Sequence, residues 1–349
     1  MKRIRNSILS LIAVIALLLG CSRGVPYDTL DTLDLSYPVE IQVPKKMAAQ
    51  TRSILLNAVE NTLENDFRRL LLSVQNSEVS AINQVGNTVR LPVSRETFNL
   101  LLLTQDFNRR TGGAYDITTS PIACLWGFYG SPVPEREIPD ELLAATLKSI
   151  GPANVRLSQN TVELRTSYIR LNVDDIAQAY VLDLAIIKIR RLNYGDILLS
   201  FGSNVRALGC PSGKSAWTYP LPNPFDSKTP LAQIRLESQP ALSIAQIGEN
   251  FVTINGKRYG RIIDPATGRP AEGMALVAVL APTTTRAHAL AQALFVLGPE
   301  KGMAIMPEFA ECEVLFIPDE KPHHALATRG MLEALDWPIN PAMPCVLLE

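Results

Sequence analysis

Two short segments carry residue types that could meet a ligand. In Thr111-Gly112-Gly113-Ala114-Tyr115-Asp116, a glycine pair stands directly before an aromatic ring and a carboxylate. Glycine lets backbone come close to a flat ring, with Asp116 accepting hydrogen bonds from the ligand; the same pair is also the ordinary way to stop a helix and turn. From these residues alone both readings stay open. Asp264-Pro265-Ala266-Thr267-Gly268 is a turn on either reading. Trp126 and Phe128 read first as core rings and second as ligand contacts, and a lone His288 reads as a surface or capping residue. Cys124, Cys210, Cys312 and Cys345 are spaced like neither a small disulfide scaffold nor a zinc site, so at least two are expected free and buried.

The amino end has a different chemistry. Lys2, Arg3 and Arg5 precede an apolar run from Ile8 to Leu19, then Gly20 and Cys21. A basic head, an apolar stretch and a small residue make a secretory leader. The run is about a dozen residues, short of the roughly 20 that cross a bilayer as a helix. Leu18-Leu19-Gly20-Cys21 resembles a bacterial lipobox, which implies removal of residues 1–20 and a lipid anchor on Cys21. Several acyl chains on one residue give firmer anchoring than a single chain. Basic and acidic residues number 33 and 34, so no net positive charge favours nucleic acid as a partner.

The elements that must position these residues follow from periodicity. Val39 to Val43 alternates as a strand, and Met47 to about Leu72 carries Leu55, Val59, Leu63, Phe67 and Leu70 at helical spacing. Arg95 to Arg110 reads as a helix capped by Ser94 and ended by Gly112-Gly113. Ser131 to Pro139 reads as a surface loop. Strands are expected at Val155 to Leu157, Thr161 to Leu164 and Tyr168 to Leu171, then a helix from Ile176 to Leu192 and a strand from Asp196 to Phe201. A polar connection around Pro211 to Lys228 leads to strands at Leu231 to Leu236, Ala241 to Ala245, Phe251 to Ile254, Arg261 to Ile263 and Ala275 to Ala281. Arg286 to Leu297 has helical spacing, ended by Gly298-Pro299. Strands and helices without a regular βαβ rhythm predict an α+β fold of mixed sheets packed with helices, one domain over residues 21–349.

Four ordered segments resemble the FAD:protein FMN transferases, the ApbE flavin transferase family. They are Asn76-Ser77-Glu78-Val79-Ser80-Ala81-Ile82-Asn83; Thr111 to Asp116 with Pro121 and Trp126-Gly127-Phe128; Ile176 to Asp183 with Phe201-Gly202-Ser203-Asn204-Val205-Arg206-Ala207-Leu208-Gly209; and Ile262-Ile263-Asp264-Pro265 to Pro270 with Ala293 to Gly302. The resemblance implies an enzyme that binds FAD and magnesium and transfers FMN to a threonine or serine hydroxyl of a target protein, releasing AMP. It implies flavin-accepting subunits of a sodium-pumping NADH:quinone reductase or related complex as partners. The implied place is the periplasmic side of the inner membrane, with the outer membrane as the alternative. By the same resemblance, Ala114, Tyr115, Asp116, Asn172, Gln178 and Ile262 contact the flavin nucleotide.

Departures from the family pattern fall where a metal would sit. Asn172 and Gln178 replace the family's usual aspartate and lysine, and His288 and Gln292 replace its aspartate and threonine. The implied metal set here is therefore Asp175, His288 and Gln292, a weakened magnesium site, because imidazole suits transition metals better than magnesium. Arg261 replaces a histidine; as a planar fork it could pair with phosphate, and Arg206 is a second candidate for that charge. No catalytic residue is assigned. The competing expectation is a flavin-binding or scaffold lipoprotein that kept the fold and lost the reaction.

Overall fold

The structure, a computed structural model, describes residues 27–31, 39–85, 89–211, 213–237, 240–248, 251–336 and 343–348; the leader and Cys21 lie outside the described residues. Nine strands form the main sheet in chain order: Tyr27–Asp31, Glu40–Pro44, Ile197–Phe201, Asn204–Leu208, Ala241–Gln246, Met274–Ala281, Glu313–Pro318, Ala325–Ala327 and Cys345–Leu347. Each is antiparallel to its predecessor except the last, which is parallel to Ala325–Ala327. Everything else is an excursion between neighbouring strands. The longest, between Pro44 and Ile197, carries most of the helices and a small sheet of Leu91–Pro92, Thr161–Leu164 and Val155–Ser158.

Both faces of the main sheet are covered, which explains its apolar runs. Along Met274–Ala281, Val277 and Val279 join one core while Leu276, Ala278 and Leu280 join the other. Helices Ala49–Thr62, Asp174–Arg191 and Thr284–Ile305 cover the first face, contributing Leu55, Val59, Ile176, Ile186, Leu290 and Phe295. On the second lies a three-stranded sheet of Leu335–Asp336, Ala232–Leu236 and Trp217–Leu221, anchored by the buried Trp217. A third cluster, including Ile122, Trp126, Leu143, Tyr259 and Ile263, joins the 120–150 segment to the hairpin of Phe251–Ile254 and Lys257–Gly260. The candidate cleft forms beside that junction. Among the described residues no helix is long and apolar enough to cross a membrane.

The expected α+β class holds, and most elements fall within a residue or two of their predicted bounds. Helix Arg95–Arg110 starts where expected, with Ser94 Oγ accepting from Thr97 N at 3.3 Å. Gly112 and Gly113 both adopt left-handed backbone, φ 62° and 89°, as a helix stop requires. Gly298 likewise breaks the run Thr284–Ile305 with φ 69°, and the helix resumes beyond it.

Four expectations are corrected. Tyr168 to Leu171 is not a strand: Leu171 N is taken by Asn83 Oδ1 at 2.8 Å, and Tyr168 is exposed. Arg261 to Ile263 makes only an isolated bridge, Ile263 to Pro270, because these residues are one leg of the Asp264 turn and Pro265 and Pro270 lack amide donors. The connection Pro211 to Lys228 contains the strand Trp217–Leu221; Pro220 is tolerated there because the strand is at a sheet edge. The four cysteines among the described residues are all free, but of these only Cys312 is fully buried.

Candidate functional site

The cleft is assembled from the amino end of one helix. Helix Asp174–Arg191 carries Asp174 and Asp175 in its first turn, and Asn172 Oδ1 accepts from Asp174 N at 3.0 Å, an Asx turn that satisfies a first-turn amide. Segment 172–175 is fixed from two sides. Asn83 donates to Leu171 O and accepts from Leu171 N, both at 2.8 Å, and Leu72 N donates to Asp174 Oδ1 at 2.8 Å. Ser77 caps its own short helix through Ser80 N at 2.9 Å, and Glu78 accepts from Ser94 N and Oγ. The first of the four sequence segments therefore positions the third without entering the cleft.

The opposite wall comes from the remaining segments. Trp126 is fully buried and its indole donates to Gly268 O at 2.8 Å, tying the aromatic segment to the Asp264 turn. That turn is closed by Asp264 Oδ1 accepting from Ala266 N at 2.9 Å and by Gly268 N donating to Asp264 O at 2.8 Å. Directly after Trp126 the chain enters the cleft. Gly127 has φ 88°, and a Cβ there would lie 2.7 Å from Val133 Cα, so no other residue fits.

Between these walls lies a cleft of about 490 Å³. Gly127, Phe128 and Tyr129 line it from one segment, Asp175 and Gln178 from the helix, and Phe251, Val252 and Arg261 from the hairpin region. That volume lies within the range of small-molecule sites. Tyr129 and Phe251 are 44 % and 38 % exposed, large aromatic rings left open to the cleft. Arg258 stacks its guanidinium over Phe251 at 3.6 Å and steadies the ring. The Arg261 guanidinium pairs with Asp175 Oδ2 and interacts with the Tyr129 hydroxyl. Burial lowers the Arg261 pKa, but Asp175 and Tyr129 outweigh this and hold it raised, so the guanidinium stays charged. Gln178 packs against Gly202, where a Cβ would come within 2.6 Å of its Oε1.

Of the residues singled out from sequence, Asp175 and Gln178 line this cleft together. Ile262, next to Arg261, packs against the main core. Tyr115 is buried edge-to-face against Phe107, and its pKa is raised by burial and then by the Asp175 charge, which places it within electrostatic reach of the cleft. Ala114 packs beside it against the same core. Asn172 lies three residues before Asp175 and keeps a buried Nδ2 with no hydrogen-bond partner, a donor open to a ligand acceptor. Asp116 is elsewhere: its Oδ1 accepts from Thr118 N and Thr118 Oγ1 at 2.7 and 2.6 Å, and it lines a narrow hollow with Leu101, Thr104 and Asn108. Burial, only partly offset by Thr118, raises its pKa. Sequence reasoning missed Tyr129 and Phe251; the glycines flanking Phe128-Tyr129 were the available signal, whereas nothing marked Phe251.

His288 is buried, not on the surface, and its Nδ1 lies 3.2 Å from Asn204 Oδ1, which also accepts from Ser243 Oγ at 2.8 Å. An amide oxygen only accepts, so the histidine proton is on Nδ1. Burial lowers its pKa to about 4, leaving a neutral imidazole. Gln292, one turn later on the same helix face, is half-buried. Arg206 is not a cleft residue: its Nε lies 3.3 Å from Asp183 Oδ1, its Nη1 donates to Pro282 O at 2.6 Å, and it is buried.

These side chains do not fit a magnesium ion. Among the described residues no group of three or more His, Cys, Asp and Glu side chains is placed to hold a metal. Asp175 is shared with Arg261, and toward a dication equidistant from both their charges cancel: at 4 Å and an effective dielectric near 20, attraction and repulsion are each about 8 kcal/mol. His288 offers neutral nitrogen where magnesium favours hard oxygen. Asp174, whose pKa is raised by burial, already accepts from Leu72.

A second groove, about 590 Å³, is lined by Arg109, Arg156 and Arg165 with Gln105 and Asp106, and contains no residue of the four family segments. Its arginines are partly neutralised, Arg109 by Asp106 at 2.5 Å and Arg156 by Glu163 at 4.0 Å.

Known proteins resemble this chain in sequence and in fold. The FAD:protein FMN transferase of Vibrio cholerae is 26 % identical over 305 residues, covering 86 % of this chain and 90 % of that protein. The enzyme of the same name from Haemophilus influenzae is 26 % identical over 318 residues, covering 87 % and 90 %. The crystal structure of the ApbE protein from Thermotoga maritima superposes with a TM-score of 0.74 at 25 % identity, covering 84 % of this chain and 94 % of that one. The ApbE family model matches residues 35–316, most of the sequence, and the chain belongs to the ApbE family.

Proposed function

We propose that this protein is an FAD:protein FMN transferase, joining the FMN half of FAD to a threonine or serine hydroxyl of a target protein. The acceptor oxygen bonds to the FMN phosphorus, the bond from that phosphorus to the oxygen bridging toward the AMP phosphate breaks, and AMP leaves as the hydroxyl proton is lost. The observation that carries the reading is the convergence of Tyr129, Asp175, Gln178, Phe251 and Arg261 on one cleft. Open aromatic rings suit a planar isoalloxazine or adenine, and a guanidinium beside a helix amino end suits a diphosphate. In such a reaction the chain's own part is to orient the diphosphate, screen its charge and admit the acceptor hydroxyl in line.

The mature protein is one domain following a leader over residues 1–20, anchored through lipidated Cys21 to the periplasmic side of the inner membrane, with the outer membrane as the alternative. Its acceptors are flavin-carrying subunits of a sodium-pumping NADH:quinone reductase or a related complex. Replacing Cys21 with serine should release the protein from membranes; sedimentation with membranes after salt washing would reject the anchor. The transfer itself is tested by incubating the full chain in detergent with FAD and an acceptor subunit. AMP release together with flavin fluorescence on the denatured acceptor supports the transferase. FAD binding without either product supports the second reading, an inactive flavin-binding lipoprotein, which the closed Asp175–Arg261 pair favours.

A further inference from the structure

We infer that the Arg261 guanidinium takes the place of a divalent cation in this chain, so that the diphosphate of FAD is held through Arg261 and binding needs no metal. The inference rests on the transferase reading only for the identity of the dinucleotide. Three observations carry it. The cleft's charged lining consists of Arg261 and Asp175, the two paired with each other. Three of the side chains that could contribute to a metal site are engaged otherwise, Asp175 by Arg261, Asp174 by Leu72 N and His288 by Asn204, which leaves Gln292 with a neutral amide oxygen and no charge to offer a dication. The Arg261 side chain is 29 % exposed and lines the cleft, so a ligand can reach it.

Arginine suits this task because its planar fork has five N–H donors, of which Asp175 takes a bond through Nη1 and the Tyr129 hydroxyl engages another. The others can grip two diphosphate oxygens at once. Helix Asp174–Arg191 adds partial positive charge from its amino end on the same wall. Asp175 then acts as a positioning residue. It aims the guanidinium while the cleft is empty, and it competes with the phosphate for it. That competition predicts the opposite sign from a metal site: removing the Asp175 charge should tighten FAD binding, whereas removing a metal ligand should weaken it.

The test uses the full chain in detergent, titrated with FAD, ADP and riboflavin and read by flavin fluorescence or calorimetry, in excess EDTA and in excess magnesium. FAD affinity should be equal in the two buffers. Arg261→Gln should weaken FAD and ADP by about tenfold or more, the scale of a charge-assisted hydrogen bond, and leave riboflavin, which lacks the diphosphate, unchanged. Asp175→Asn should tighten FAD about two- to fivefold, and Arg261→Lys, charged but without the fork, should fall between Arg261→Gln and the parent. FAD binding only with magnesium, or weakened by Asp175→Asn, would overturn the inference and leave the transferase reading standing. No FAD binding in either buffer would overturn both.

Discussion

Helix Asp174–Arg191 carries two aspartates that each meet an arginine from the carboxyl half of the chain, and the two pairs have opposite characters. Asp183 and Arg206 are 12 % and 7 % exposed, and the carboxylate also accepts from Thr284 N and Thr285 N at 2.9 Å and Thr285 Oγ1 at 2.7 Å, so it caps the Thr284–Ile305 helix. Asp175 and Arg261 are 37 % and 29 % exposed and face the cleft. The same two side-chain types thus hold the fold together at one end of a helix face and stay open to a ligand at the other. What separates them is not the ion pair but whether backbone donors complete the carboxylate's hydrogen bonding. A completed pair is part of the structure, and an incomplete one at a cleft is available for exchange.

The sharpest way to break this contrast is Asp183→Ala. It leaves Arg206 charged and buried and two helix amides uncapped, and should lower unfolding free energy by about 3–5 kcal/mol in a denaturant titration. A loss below about 1 kcal/mol would mean that the buried pair is no more structural than a surface one. Next in size is an acid effect at His288. Its folded pKa, about 4, lies below the ordinary value of 6.5, so the unfolded chain binds more protons between these limits. Stability contributed by the neutral imidazole is complete above pH 6.5 and is lost as pH falls toward 4, by about 3 kcal/mol. His288→Gln should flatten that part of the stability–pH curve; an unchanged slope would assign the acid sensitivity to other groups.

Arg261→Gln should cost stability little, within about 1 kcal/mol, since the pair it breaks is partly exposed. A loss comparable to Asp183→Ala would make the cleft pair structural after all. The smallest effect is expected at Asp116, a carboxylate that no cation pairs with among the described residues. Its pKa is raised by burial, so its stabilising contribution is present below the unfolded pKa and lost as pH rises through the folded one. Asp116→Asn should therefore stabilise slightly at neutral pH, by less than about 1 kcal/mol, with the gain disappearing in acid. A destabilised variant at neutral pH would show that the charge matters to Thr118 more than burial penalises it.

Local signals in the sequence were strong where one element decides the outcome. Ser94 before Arg95 and the Gly112-Gly113 pair mark both ends of a helix because capping and left-handed backbone are properties of single residues. The alternating faces of Met274–Ala281 and the stripe over Ala49–Thr62 were legible for the same reason. Pairing partners were not. Trp217–Leu221 looks like polar loop because Pro220 and its flanks hide a strand whose partner, Ala232–Leu236, supplies the ladder. At the site, the family resemblance singled out Asp175 and Gln178, and the two share the cleft. It did not reveal that Arg261 reaches Asp175 across 86 positions, or that Arg206 is committed to Asp183. At Asp116 the sequence did not reveal that Thr118, only two positions away, donates to the carboxylate through both its N–H and its hydroxyl.

FAD is expected to occupy the cleft beside Arg261 rather than the arginine-lined groove beside Arg109. Hydrogen–deuterium exchange of the full chain in detergent, with and without FAD, separates these places directly. Slower exchange on FAD addition is expected at 127–130, 174–178 and 251–262, with residues 105–109 and 152–165 unchanged. Protection confined to the second group, or absent from both, would contradict it.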